Sequence, residues 1–379
     1  MLADVASIRG LPPPADLKVG SVARRDAPAL IERTLTADDR ATFARTTTLY
    51  RLLGHLAPDE DYLSDYLAFI GNAFVGLYVP ADKTLWLVRD EPFQLSQLSP
   101  GERATLAHEL THAVQDANFD IAKRAAALAS DLDASLALTS VVEGDAVTNQ
   151  NLYTAKYGAA PNALPLGGGV LMLLAQAPGA VPASIERELR FPYSTGAGWV
   201  NVLRQAKGTA PIDAILEGQP LSTAAILHPD LFAQGWQPET VTLPDVGKAL
   251  GGWKHQSSGT FGEFGLYNYL QLKLPALTAL SAAAGWAGDR YDVYTHGKDS
   301  LAVFRIRFND AAEAREFATA QQALLEASGA RVTTDRGVSF ATLDGGRIVA
   351  RPPQSGSEVV FAIATNEAAA KTAVQALAP

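Results

Sequence analysis

An α+β fold is the expectation for this chain, carried by three stretches of pattern. They are a hairpin near residues 74–88, capped helices between about 99 and 157, and short strands framed by two helices beyond residue 298. The length of 379 residues and 47% hydrophobic content suit one large or two ordinary domains. Residues 1–28, with Pro12-Pro13-Pro14 and mixed charges, read as an extended lead-in. Next, Phe74-Val75-Gly76-Leu77-Tyr78-Val79 and Thr84-Leu85-Trp86-Leu87-Val88 flank a turn at Pro80-Ala81-Asp82-Lys83, the signature of a β-hairpin. Ser99-Pro100-Gly101-Glu102 combines an N-cap serine, a first-turn proline and a glutamate three residues after the cap. Behind it Leu106, Leu110, Ala113 and Val114 form a helical stripe that Asn118 can end in the left-handed conformation. A second helix is expected over about 131–157. Helical pieces cut by Gly and Pro follow, at roughly 182–190, 197–207, 210–217, 262–272 and 275–285. From about 298 the texture changes. Leu301 to Phe308 alternates as a strand, a helix covers about 310–328, and strands fall near 331–334, 338–343, 346–351 and 358–364 before a last helix from 366. The expected organisation is a lead-in over 1–28, a main domain over 29–297 with a mostly helical second half, and a small α+β module over 298–379.

Composition excludes several classes. A net charge of −9 argues against nucleic-acid binding, which favours a basic patch. No apolar run approaches the 18 or so residues of a membrane span; Val170-Leu171-Met172-Leu173-Leu174 is only core-sized, so no integral membrane segment is expected. With no cysteine there are neither disulfides nor thiolate metal sites, and any metal must use histidine and carboxylate. Met1-Leu2-Ala3-Asp4 lacks the basic and apolar regions of a signal peptide, which leaves a cytoplasmic protein or the mature form of an exported one.

The chemistry concentrates at His108-Glu109-Leu110-Thr111-His112. Two histidines four apart on a helix share a face, separated by roughly 6 Å along the axis. Both imidazoles then reach one zinc ion at about 2.0–2.1 Å, and Glu109 falls beside the open coordination position. This is the HExxH arrangement of zinc peptidases. A catalytic zinc has three protein ligands plus water, and Glu143, in the second helix, is the expected third. Leu138, Val141, Val142 and Val147 make that segment look buried, and a buried carboxylate needs a cation or donors nearby. Gly144 and Ala146 are expected to let this helix approach the HExxH helix closely. Asp116, one turn beyond His112, and Asp145 are candidates to accept a hydrogen bond from a ligand imidazole and fix its tautomer.

The run Leu106 to Asp116, then Asn118-Phe119-Asp120, then Val142-Glu143-Gly144-Asp145-Ala146, resembles a group of gluzincin-type metallopeptidases of bacteria and archaea. The resemblance is densest over about 70–150. It implies a zincin-like domain, zinc and peptide hydrolysis, and an export signal, which places the protein in the secreted or cell-envelope fraction. In better-studied gluzincins an aspartate follows the ligand glutamate by four residues; here that position holds Val147 and the aspartate is Asp145. Zincins place an edge strand above the metal, where an extended peptide substrate pairs as another strand. In that scheme Glu109 is the general base. Tyr193, in a Phe-Pro-Tyr turn, and His228, before Pro229, are the candidates to stabilise the oxyanion. Two other classes compete with peptidase action. One is a metal-binding or surface-associated interaction protein without turnover, and the other is a zinc hydrolase of non-peptide amides or esters.

Overall fold

The computed structural model describes every residue except 72–75, 91–97, 159–180, 354 and 378–379. The class is α+β, as expected. The chain forms two compact units: Met1–Arg40 with Ser64–Ala129 and Ser135–Leu221, and Ala41–Leu63 with Ser130–Ala134 and Ser222–Pro379. In chain order, the elements up to residue 157 are α1 (Leu2–Arg9), β1 (Lys18–Val22), α2 (Ala27–Thr34), α3 (Ala37–Leu53), α4 (Tyr62–Gly71), β2 (Gly76–Val79), β3 (Thr84–Val88), α5 (Pro100–Phe119), α6 (Ile121–Leu128) and α7 (Leu132–Tyr157).

In the first unit, residues 1–28 are not an extended lead-in. Val5, Ala6 and Arg9 lie on one face of α1 and are at most 2% exposed. So short a helix is marginal alone and takes its stability from this packing. β1 then pairs in parallel with β3, giving a small sheet of order β1-β3-β2. The hairpin is found, with Pro80–Asp82 as a 3₁₀ turn and Lys83 at φ 53°. Its expected start at Phe74 and Val75 lies outside the described residues, as does the apolar run Val170–Leu174. Val5, Leu85, Leu87, Leu98, Leu106, Ala107, Leu110 and Tyr153 close one core from both sheet and helices. Ser99 and Glu102 make the capping box at the start of α5. The helix runs past Asn118, and Asp120 at φ 49° takes the left-handed position instead. Helices at Ala183–Arg190, Ala197–Lys207 and Ala210–Glu217 fall where helical spacing put them. The first two are joined by a π-helical turn, Pro192–Gly196, closed by Gly196 N–H donating to Phe191 O at 3.0 Å.

The second unit is built on a seven-stranded antiparallel sheet. Its strands are β4 (Lys254–Gly259), β5 (Trp286–His296), β6 (Asp299–Phe308), β7 (Arg331–Asp335), β8 (Val338–Thr342), β9 (Ile348–Arg351) and β10 (Glu358–Ala364), in the order β4-β5-β6-β10-β9-β8-β7. Leu301, Val303, Ala362 and Ala364 meet Ala370, Val374 and Leu377 of the last helix, Glu367–Leu377. On the opposite face Phe304 stacks on Phe361 with ring centroids 4.6 Å apart, and Phe308 packs on Phe317 of the helix Ala311–Ala327 at 5.4 Å. Two covered faces explain why Leu301 to Phe304 are all buried. The boundary expected at residue 297 falls in the turn between β5 and β6, which pair from His296↔Asp299 to Trp286↔Phe308. The sheet therefore begins well before the expected module. No helix among the described residues is long and apolar enough to cross a membrane.

Candidate metal centre

The period of α5 brings His108 and His112 to one face, and α7 supplies Glu143. His108 Nε2 and His112 Nε2 are 3.0 Å apart. Glu143 Oε2 lies 3.1 Å from the first and 3.3 Å from the second. Three ligands of one tetrahedral ion at 2.0–2.1 Å would be separated by about 3.3 Å, so the atoms already outline one face of a coordination tetrahedron. Three electron-pair donors aimed at one point repel one another unless a cation or proton lies between them. Among the described residues, His108, His112 and Glu143 form a group that can hold a metal ion. The two imidazoles meet edge to face, with centroids 4.6 Å apart.

The charges follow from this crowding. Burial pulls His112 down, but Glu143 beside it outweighs burial and pushes the imidazole up to about 9. Burial would raise Glu143, yet His112 and His108 hold its carboxyl well below the usual range. Both shifts describe one shared proton, the behaviour of a coupled pair.

Glu109 follows the first ligand and is 4% exposed. Burial pushes its carboxyl up, against the pull of His112, His108 and the Tyr78 N–H. That N–H donates to Glu109 Oε2 at 2.9 Å, so β2 holds the carboxylate in place. A side chain at Gly76 would begin 3.3 Å from Glu109 Cγ. β2 is the outer strand of its sheet among the described residues, with β3 on its other side.

The second helix approaches differently from expectation. A Cβ on Gly144 would lie 2.8 Å from Val200 Cγ2 and 2.9 Å from Gly196 O, so its small size serves the turn before Ala197–Lys207, not α5. Gly196 answers it, since a Cβ there would meet Ser140 Cβ at 2.7 Å. This mutual close approach carries the π turn, and with it Tyr193, to Glu143. The Tyr193 ring stacks on His108 at 6.3 Å, and the Glu143 charge acts on its hydroxyl. Burial first, and then Glu143, keep that hydroxyl protonated far into the alkaline range.

The other expected residues divide. Asp116 does not hold a ligand imidazole; the Tyr78 hydroxyl donates to its Oδ2 at 3.0 Å. Gln115 has that place instead, with Oε1 3.0 Å from His112 Nδ1. Asp145 reaches the histidine only through Gln115, whose Nε2 donates to Asp145 Oδ2 at 2.9 Å. His228 belongs to the second unit, where its Nε2 lies 2.6 Å from Oε1 of the buried Glu263. Glu263 lies in the first turn of the helix Gly262–Leu270, so His228 is engaged there. Sequence reasoning missed Tyr66 on α4, which burial and the Glu143 charge raise to about 12. It also missed Gln115, although its position three residues after His112 is one of the two spacings that meet on a helix.

Residues 249–374 match a family model described as a domain of unknown function (DUF8575). That span covers β4 to β10 and reaches into the last helix; it does not include His108, His112 or Glu143. No curated protein and no solved structure matches the chain.

Proposed function

We propose that the protein is a zinc-dependent peptidase of the gluzincin kind, acting on extended peptide segments at the His108–His112–Glu143 centre. The observation that carries this reading is one buried carboxylate, Glu109, set next in sequence to a ligand in a group whose three donor atoms stand 3.0–3.3 Å apart. Two imidazoles and a carboxylate suit zinc, and are among the few sets open to a chain without cysteine. A bound zinc ion supplies Lewis acidity, polarising a peptide carbonyl and acidifying water.

The chain's own groups do the rest. Glu109, with its raised affinity for a proton, takes one from the attacking water and returns it to the departing amine. The Tyr78 N–H fixes one oxygen of that carboxylate, leaving the other to exchange the proton. Tyr193, still protonated at working pH, donates to the carbonyl oxygen as negative charge develops there. In an antiparallel pair alternate residues turn their backbone groups outward. The Tyr78 N–H points to Glu109, away from β3, so Gly76 lies on the same outward edge, and a peptide strand can add there with little sequence preference.

The test is metal content by elemental mass spectrometry beside turnover of a fluorescently labelled unfolded protein. Wild type should carry one zinc per chain and cleave. Glu109→Gln should keep the zinc and lose at least about 100-fold in rate. Glu143→Ala should lose the zinc. A Glu109→Gln protein as active as wild type would refute the mechanism, and a zinc-loaded wild type without turnover would favour a binding role.

A further inference from the structure

Gln115 takes no part in the chemistry above, yet it is wholly buried and every polar atom of its side chain is directed. Its Nε2 donates to Val142 O at 3.0 Å and to Asp145 Oδ2 at 2.9 Å. Both partners are acceptors only. Val142 offers a carbonyl, and Asp145 Oδ2 also accepts from Arg9, whose Nε donates to it at 2.5 Å. Arg9 and Asp145 have no exposed side-chain surface. The far side of the Arg9 guanidinium bonds Asp213, and Arg204 Nη1 lies 3.8 Å from Asp145 Oδ1. With its nitrogen committed to α7, the Gln115 amide must turn its oxygen towards His112 Nδ1, 3.0 Å away. An amide oxygen only accepts, so Nδ1 must carry the hydrogen. In the neutral ring the lone pair is then on Nε2, the atom that faces His108 and Glu143.

We propose that Gln115 is a positioning residue, aimed by the Arg9–Asp145 pair, which fixes His112 in the tautomer whose Nε2 is free to bind metal. Helix α1 thereby belongs to the metal centre although none of its residues touches it. The proposal rests on the metal reading given above and specifies what makes one of its ligands competent.

The experiment measures zinc affinity by competition with a chromophoric chelator, for wild type, Gln115→Met, Gln115→Glu and Arg9→Met. The His112 Nδ1–H resonance of each zinc-loaded protein is recorded alongside. Gln115→Met keeps length and loses polarity; its affinity should fall about 10–100-fold, and the Nδ1–H should exchange with solvent. Gln115→Glu should stay close to wild type in both readouts. Buried beside Asp145 it takes a proton, so its single O–H replaces the N–H directed at Asp145, the bond to Val142 O being lost, while its carbonyl still accepts from His112. Arg9→Met should weaken zinc in the same direction, and if it does not fold the Gln115 pair still decides. Equal affinity for wild type and Gln115→Met would overturn the inference alone. So would a Gln115→Glu protein as weak as Gln115→Met, because Gln115 would then be a packing residue. A wild type that takes up no zinc would overturn the metal reading together with this inference.

Discussion

A metal ion held by this group would compete with the proton for one nitrogen of His112. Beside Glu143 the metal-free imidazole keeps its proton up to about pH 9. Zinc uptake at pH 7–8 should therefore release about one proton per chain, and none above about pH 10, in an unbuffered titration followed by base addition. The same shift sets a stability window. A histidine raised from about 6.5 to about 9 contributes stability that is whole below the lower value and lost as pH rises through the higher one. The melting temperature of metal-free protein should accordingly fall between pH 6.5 and 9, and a flat profile would show that His112 and Glu143 do not share the proton. At this scale the sequence was legible where chemistry imposes a spacing. His108, Glu109 and His112 are fixed by one helical turn, and Glu143 by the need to compensate a carboxylate in an apolar helix. Tyr66 carries no such spacing to a reactive group, and the spacing of Gln115 from His112 does not say which way its amide points. Their roles come from side-chain direction, which residue type alone does not encode.

Between helices, the contact that sets the site is the pair of glycines, Gly144 and Gly196. A Gly144→Ala methyl would start 2.8 Å from Val200 Cγ2 and 2.9 Å from a backbone oxygen. It should destabilise the fold by about 1–3 kcal/mol, measured by denaturant unfolding, through overpacking. Because the displaced turn carries Tyr193, turnover should fall more than the stability loss explains, with zinc affinity less affected. Removing the cap, Ser99→Ala, should cost about 1 kcal/mol in the same assay with no special effect on the metal. Elements with strong local signals were readable, as the capping box and the strands β6 to β10 attest. β5 was not. Trp286-Ala287-Gly288-Asp289-Arg290-Tyr291 reads as turn sequence, yet buried Asp289 accepts from Phe261 N–H, Gly262 N–H and Trp286 Nε1–H, which makes its polarity structural. A bulge between Trp286 and Gly288 further breaks the alternation that marks a strand.

At the scale of the whole molecule, protection should be graded across the seven-stranded sheet. β6 and β10 lie centrally under both helices, and their residues from Leu301 to Phe304 and from Phe361 to Ala364 are buried. β7 sits at the end of the sheet with every residue exposed. Native-state hydrogen exchange should find β6 and β10 amides slowest and β7 fastest; protection spread evenly over all seven strands would contradict the strand order. The organisation into units was the least legible part, because each unit gathers chain segments far apart in sequence, and local pattern does not report such returns. The Arg9 to Asp213 contact closes a loop of 204 residues. During synthesis Arg9 emerges early and waits for a partner that the ribosome has not yet made. The network behind Gln115 cannot be complete until residue 213 has cleared the exit tunnel. A nascent chain displaying His108, His112 and Glu143 already holds Gln115, Asp145 and Arg9, but the outer bond that steadies the Arg9 guanidinium has to wait for residue 213.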